Sequence, residues 1–132
     1  MYLLDTNILS ELIKQPASSL AKRISNLHYD EFCTSVLVAC ELRYGVQKKG
    51  SQKLSKKVGL LLERVNILSL EVDVSLHYGN IRAVLEKQGQ QIGGNDLLIA
   101  AHALSLNAIL VTANTREFER VPGLKVENWM TV

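Results

Sequence analysis

The chain has 132 residues, 47% hydrophobic and 5% aromatic, with 15 Lys and Arg against 13 Asp and Glu for a net charge of +2. That length predicts a single domain over residues 1–132 with a sizeable core; the few aromatics argue against a base-stacking sheet, and the mild basicity suits a nucleic-acid partner only where the cations cluster. No apolar run reaches the ~18 residues of a membrane span, and Asp5 interrupts the apolar start that a signal peptide would need, so a soluble, cytoplasmic protein without a membrane partner is expected.

Tyr2, Leu3 and Leu4 read as a short buried strand that ends on Asp5 and turns into a helix running from Ile8 to Lys14, which stops before Pro16. An acid at a strand tip is a site candidate, because open α/β sheets bind ligands outside the carboxyl ends of their strands. Taken alone, an Asp in front of a helix is an N-cap. Ser18 or Ser19 caps a second short helix through Leu20, Ile24 and Leu27, and Glu11 on the first helix reads as a solvated acid. Phe32 to Ser35 is the next strand, and Ser35 caps a helix that runs to about Gln47. Leu37, Val38, Leu42 and Tyr44 form an apolar stripe on it, and Glu41 falls inside that stripe. A carboxylate there needs a cation or donors, and an ion pair with Arg43 or Arg82 is the plain alternative to a ligand role. Cys33 and Cys40 lack zinc-ligand spacing and read as reduced core thiols.

Five lysines follow, Lys48, Lys49, Lys53, Lys56 and Lys57, interrupted by Gly50 and Ser51. Such a run is either a solvated helix face or a rim that contacts phosphates. Asn66 to Leu70 reads as a strand, and Val72 to Gln88 as an amphipathic helix through Val74, Leu76, Ile81, Val84 and Leu85. His28, His77 and His102 have no ligand partner at helical spacing and read as structural or exposed. The stretch Gly89 to Asp96 lacks the ending of a phosphate loop and follows a helix. It reads instead as a loop that delivers Asp96 to the head of the helix Leu97 to Leu106, with Asn95 as the cap and Ala100 and Ala103 packing close to the sheet. Asn107 to Thr112 is a second buried strand with a polar tip, Arg116 to Arg120 a helical turn, and Leu124 to Val126 a last edge strand before Trp129. Strands alternating with helices predict a three-layer α/β/α sandwich on a mainly parallel sheet.

If Asp5, Glu41 and Asp96 share a crevice, their repulsion calls for a divalent cation. Oxygen ligands without His or Cys favour Mg²⁺, or Mn²⁺, over zinc, and such an ion serves phosphodiester displacement. The hydroxyls of Thr6 and Thr112, with Asn7 and Asn114, then steady the ligands or position a phosphate.

Four stretches in this order and spacing, Leu3 to Ser10 around Asp5, Thr34 to Gly45 around Glu41, Gly93 to Ala103 around Asp96 and Val111 to Phe118 around Asn114, resemble the motifs of the PIN-domain family. The likeness is to its VapC-type toxins in particular and spans nearly the whole chain. It implies a PIN-like sandwich and a Mg²⁺-dependent endoribonuclease that cuts single-stranded loops in structured RNA, tRNA anticodon loops and ribosomal RNA loops among them. It also implies a homodimer and a small VapB-type antitoxin docked over the active-site groove. By that resemblance Asp5, Glu41 and Asp96 are metal-binding carboxylates, and Thr112 lies near the phosphate. Where many members place a fourth acid this chain has Asn114; Glu117, three residues on, is the substitute, which leaves one metal ion or two open. Thr6, Asn7, Lys48, Lys49 and Lys53 are the candidate RNA contacts. A non-catalytic PIN-like module would lose the carboxylates that this chain keeps. A haloacid-dehalogenase-like phosphatase needs a second Asp where this chain has Asn7. DNA in place of RNA stays open, since nothing in the sequence reads the 2′-hydroxyl.

Overall fold

The computed structural model describes residues 1–130. Its sheet holds five strands, β1 Tyr2–Leu4, β2 Phe32–Ser35, β3 Ile67–Leu68, β4 Ile109–Val111 and β5 Val126–Glu127, in the order β3-β2-β1-β4-β5. Every pairing is parallel. Seven helices complete the three-layer α/β/α sandwich: α1 Thr6–Lys14, α2 Ser19–Ser25, α3 Val36–Lys49, α4 Gln52–Arg64, α5 Val74–Lys87, α6 Gly94–Ser105 and α7 Thr115–Phe118. Helices α1, α3 and α4 pack on one another, and α5 packs along α6. None of the described helices is long and apolar enough to cross a membrane.

Leu3 pairs with Cys33 on one side and Leu110 on the other, and Leu4 with Val111. All five are fully buried, which is why these strands are continuous apolar runs instead of alternating ones. From β1 the chain moves outward through β2 and β3, then crosses back to add β4 and β5 on the other side. The switch point therefore lies between β1 and β4, at whose carboxyl ends stand Asp5 and Thr112, where a doubly wound sheet opens its binding crevice.

Short polar side chains start the helices. Asp5 accepts from the Thr6 N–H, Ser18 from Ala21, Ser35 from Leu37 and Ser51 from Leu54. Gly50 ends α3 at φ +66°, a left-handed turn suited to glycine, and its N–H bonds to the Val46 carbonyl.

Several expectations are corrected. Helix α6 is capped by Gly93 and not by Asn95, which puts Asp96 third in the helix; the Gly93 N–H is pinned by Glu117, and this starts the helix earlier than local sequence suggests. Cys40 is exposed, and only Cys33 is a core thiol, its pKa pushed up to about 11 by burial. Tyr44, 66% exposed, and Leu76, 75% exposed, stand outside the core, because a helical period fixes a direction and not what covers it. Strand β3 keeps only Ile67 and Leu68 of the expected five residues, α5 begins at Val74, and β5 begins at Val126.

Candidate active site

Asp5 is buried at the tip of β1. Its Oδ1 accepts from the Thr6 N–H at 2.8 Å, and its Oδ2 accepts from the Thr112 hydroxyl at 2.7 Å and the Asn7 amide at 3.4 Å. Thr112, fully buried at the tip of β4, gives its proton to Asp5 while its oxygen accepts from the Asn114 N–H at 3.0 Å and from Asn7 at 3.3 Å. The Asn7 side-chain oxygen, Oδ1, accepts from the Ala113 N–H at 3.0 Å. Asn7 thus ties the two strand tips together at the switch point.

Glu41, half-buried on α3, accepts from the Thr6 hydroxyl at 3.1 Å. Glu117 on α7 accepts from the Gly93 N–H at 3.2 Å and from the Asn114 side-chain amide. Asn114 therefore supplies no acid, but it aims the acid three residues on.

The charges of these carboxylates bear on one another. Burial raises the Asp5 pKa against the hydrogen bonds from Thr112, Thr6 and Asn7, and the charge of Glu117 raises it further. Burial also raises Glu41, with Asp5 adding to the effect and the Thr6 bond opposing it. Asp96 is pushed up to about 7, first by burial, then by the charge of Glu117 and a hydrogen bond between the two side chains, then by Asp5 and Glu41. Acids from α1's cap, α3, α6 and α7 thus lie near enough to bear on one another electrostatically.

Among the described residues no Lys or Arg side chain forms an ion pair with any of them. The ion pairs among the described residues are Arg23 with Glu127 and Arg82 with Glu86. Arg82, the alternative partner for Glu41, is held by Glu86 and the Tyr78 hydroxyl, and Arg43 is exposed. The acids stand around the crevice without closing on a point: among the described residues no three Asp, Glu, His or Cys side chains form a ready-made metal cage.

A groove of about 300 Å³ adjoins the crevice between α1, α3 and α4, lined in part by Thr6, Glu41, Lys14 and Lys49. Of the three lysines expected to contact nucleic acid, only Lys49 lines it; Lys48 and Lys53 are exposed outside that lining. Lys14, Ser10 and Gly45 line it too, and sequence reasoning passed over them. The available signal was spacing, since Thr6, Ser10, Ile13 and Lys14 recur on one face of α1.

A parallel α/β/α sandwich with acids gathered at its switch point describes a PIN domain, and the family model for the PIN domain matches residues 2–124. Ribonuclease VapC1 of Haemophilus influenzae strain R2866 is 43% identical over 98% of both chains, and the tRNA(fMet)-specific endonuclease VapC of Shigella flexneri 40% identical over 97% of both. The structure of VapBC2 from Rickettsia felis bound to a DNA fragment from their promoter aligns with a TM-score of 0.89 at 39% identity, over 97% of this chain and 98% of that one. The chain belongs to the PIN domain family, in its VapC branch.

Proposed function

We propose that this protein is the toxin of a type II toxin-antitoxin pair. It is a metal-dependent endoribonuclease that cuts structured RNA in a single-stranded loop, a tRNA anticodon loop first and a ribosomal RNA loop next. It thereby inhibits translation until a VapB-type antitoxin neutralises it. The observation that carries the reading is the set of acids at the β1–β4 switch point, where burial and neighbouring carboxylates raise the pKa of Asp5, Glu41 and Asp96, and among the described residues no Lys or Arg pairs with them. The names of the relatives, a ribonuclease and a tRNA endonuclease, support RNA as the substrate.

The donor set fits a hard divalent cation, being carboxylate and hydroxyl oxygens only. Mg²⁺, or Mn²⁺ in its place, takes oxygen ligands and keeps several waters of its own. Asp5, Glu41 and Asp96 would hold the ion. When bound, it supplies an activated water and charge neutralisation at the phosphate. The chain's own side chains do the rest. Thr112 and Asn7 orient the Asp5 carboxylate, Thr6 orients Glu41, and Asn114 orients Glu117. Asp96, pushed up to about 7 by burial and by Glu117 in the metal-free crevice, is the carboxylate whose ionisation a bound cation would favour most. Lys49, with Lys48 and Lys53, attracts the RNA backbone.

The assembly is a homodimer, for which the exposed Val72 and Leu76 argue, joined by an antitoxin, for which the VapBC complex among the structural neighbours argues.

Purified Asp5→Asn and Asp96→Asn proteins, assayed on labelled RNA with Mg²⁺, are expected to lose at least about a hundredfold in cleavage rate. Chelation is expected to silence the wild type equally. Undiminished cleavage by the variants, or cleavage of single-stranded DNA in preference to RNA, overturns the reading.

A further inference from the structure

We propose that the groove between α1, α3 and α4 is a nucleobase pocket: it seats the base of a nucleotide adjoining the scissile phosphate and thereby selects which bond is cut. The proposal rests on the ribonuclease reading and adds a specificity element to it.

Position is the first argument. Thr6 and Glu41, which bond each other at 3.1 Å, both line the groove. Lys14 lies eight residues beyond Thr6 on α1, and Lys49 eight residues beyond Glu41 on α3. At ~1.5 Å per residue each helix runs ~12 Å from the acids to its lysine. The groove therefore leads from the reacting centre to paired cations, the direction an RNA strand takes on leaving it.

Its chemistry is the second. Ile13, Leu42, Val46, Leu54 and Val58 make an apolar wall, and Ser10 adds one hydroxyl. A base has apolar faces and a polar edge, with phosphates to either side, so wall, hydroxyl and lysines match it part by part. A volume of about 300 Å³ is at the small end of ligand pockets, ~300–1,000 Å³, and suits one base better than a folded segment.

Gly45 is the third and independent argument. It sits inside α3 and lines the groove, yet a Cβ built on it meets no atom within 4 Å. Packing does not demand a glycine there, and glycine weakens a helix interior relative to alanine. Gly59 and Gly79, inside α4 and α5, are as free of neighbours, so what sets Gly45 apart is its place: the missing side chain leaves the groove wall open one turn from Glu41.

The test uses the full chain and a short unstructured oligoribonucleotide carrying one photoreactive thiouridine, moved base by base across the cleaved bond. One position is expected to cross-link to Ile13, Leu42 or Val46. Gly45→Leu, which fills the groove, is expected to lose that cross-link, weaken RNA binding by about tenfold or more, and spread cleavage over neighbouring bonds. Gly45→Ala is expected to melt no lower than wild type and still to shift the cleavage pattern, which separates groove filling from misfolding. Cross-links only outside the groove, or a Gly45→Leu protein with wild-type affinity and cut site, overturn the proposal. So does a Gly45→Leu protein that binds RNA normally but escapes a co-expressed antitoxin, which assigns the groove to the protein partner. Groove cross-links from a wild-type protein that cuts no RNA leave the base pocket standing and overturn the nuclease reading instead.

Discussion

The Thr112 hydroxyl gives its proton to Asp5 Oδ2 at 2.7 Å because backbone and side-chain N–H groups already point at its oxygen. Among the hydrogen bonds that oppose burial at Asp5 it is the largest, so its loss pushes the Asp5 pKa further up. Thr112→Val should therefore move the acid limb of the cleavage pH profile to higher pH and lower the rate near pH ~6 by about tenfold, while Thr112→Ser should restore the wild-type profile. Profiles that superimpose for wild type and Thr112→Val would remove the hydroxyl from the mechanism. Asp96 gives a stability prediction of the opposite kind. With its pKa raised from 3.8 to about 7 in the fold, the native state binds more protons than the unfolded chain across that window. Stability without metal then falls as pH rises through it, and the deficit persists above 7. Asp96→Asn should melt a few degrees higher than wild type near pH ~8, lose that advantage near pH ~4, and gain less from added Mg²⁺. Equal melting points at both pH values would show that Asp96 is not strained. Asp5, Glu41 and Asp96 were legible because each interrupts an apolar pattern. The reach of Glu117 was not, since it depends on Asn114 and Gly93 holding it from two separate loops.

Helix α6 carries Asp96 in its first turn and His102 two turns later, so it anchors the acid as well as presenting it. His102 is buried, and its Nδ1 lies 2.8 Å from Ser35 Oγ, the atom that caps α3 through the Leu37 N–H. One contact thus joins the helix of Asp96 to the helix of Glu41. Among the described residues the Nε2 has no partner within bonding distance, although the Ser69 backbone faces the ring closely enough to favour its charged form. Burial lowers the His102 pKa from 6.5 against that backbone and the carboxylates of Asp73 and Glu71. Since the folded value is the lower one, the unfolded chain binds the extra proton, and this contribution to stability is lost as pH falls below 6.5. His102→Phe, which keeps a flat ring but cannot take up a proton, should give a melting point that declines less steeply between pH ~7 and ~5 than that of the wild type. Parallel declines would mean that the folded protein protonates the ring as readily as the unfolded chain does, so that burial does not lower its pKa. The sequence marked His102 as structural or exposed and could not name its partner, because Ser35 is 67 residues away. Elements were legible in the same sense: strand tips, caps and helical periods are local, whereas the exposure of Tyr44 and Leu76 depends on neighbours that a period does not specify.

At the scale of the whole molecule the strand order does the assembling. The β1–β4 pairing brings Asp5 and Thr112 together across 107 residues, and α3, α6 and α7 then deliver the other acids to the same edge. That much followed from two polar-tipped buried strands being adjacent. The outer surface was less legible, and it holds an unfinished face. Val72 is 87% exposed, Leu76 lies one turn further on at 75%, and Leu70 is 38% exposed beside them. Leu70 and Val72 border a cavity of about 410 Å³ with Tyr78 and Leu98. Apolar groups so placed do little for the isolated fold, and each returns about 25 cal/mol per Å² once a partner covers it. A second copy meeting this face about a two-fold axis buries the same residues twice, as an isologous interface does. Wild-type protein should therefore sediment as a dimer at micromolar concentration. Val72→Lys with Leu76→Lys should convert it to a monomer with little change in far-ultraviolet dichroism, because neither side chain belongs to the core. Dimerisation that survives the double substitution would place the interface elsewhere, and a monomeric wild type would leave the face to the antitoxin. The active-site crevice lies at the strand tips and not on this face, so monomers should keep cleaving RNA in proportion to their remaining stability.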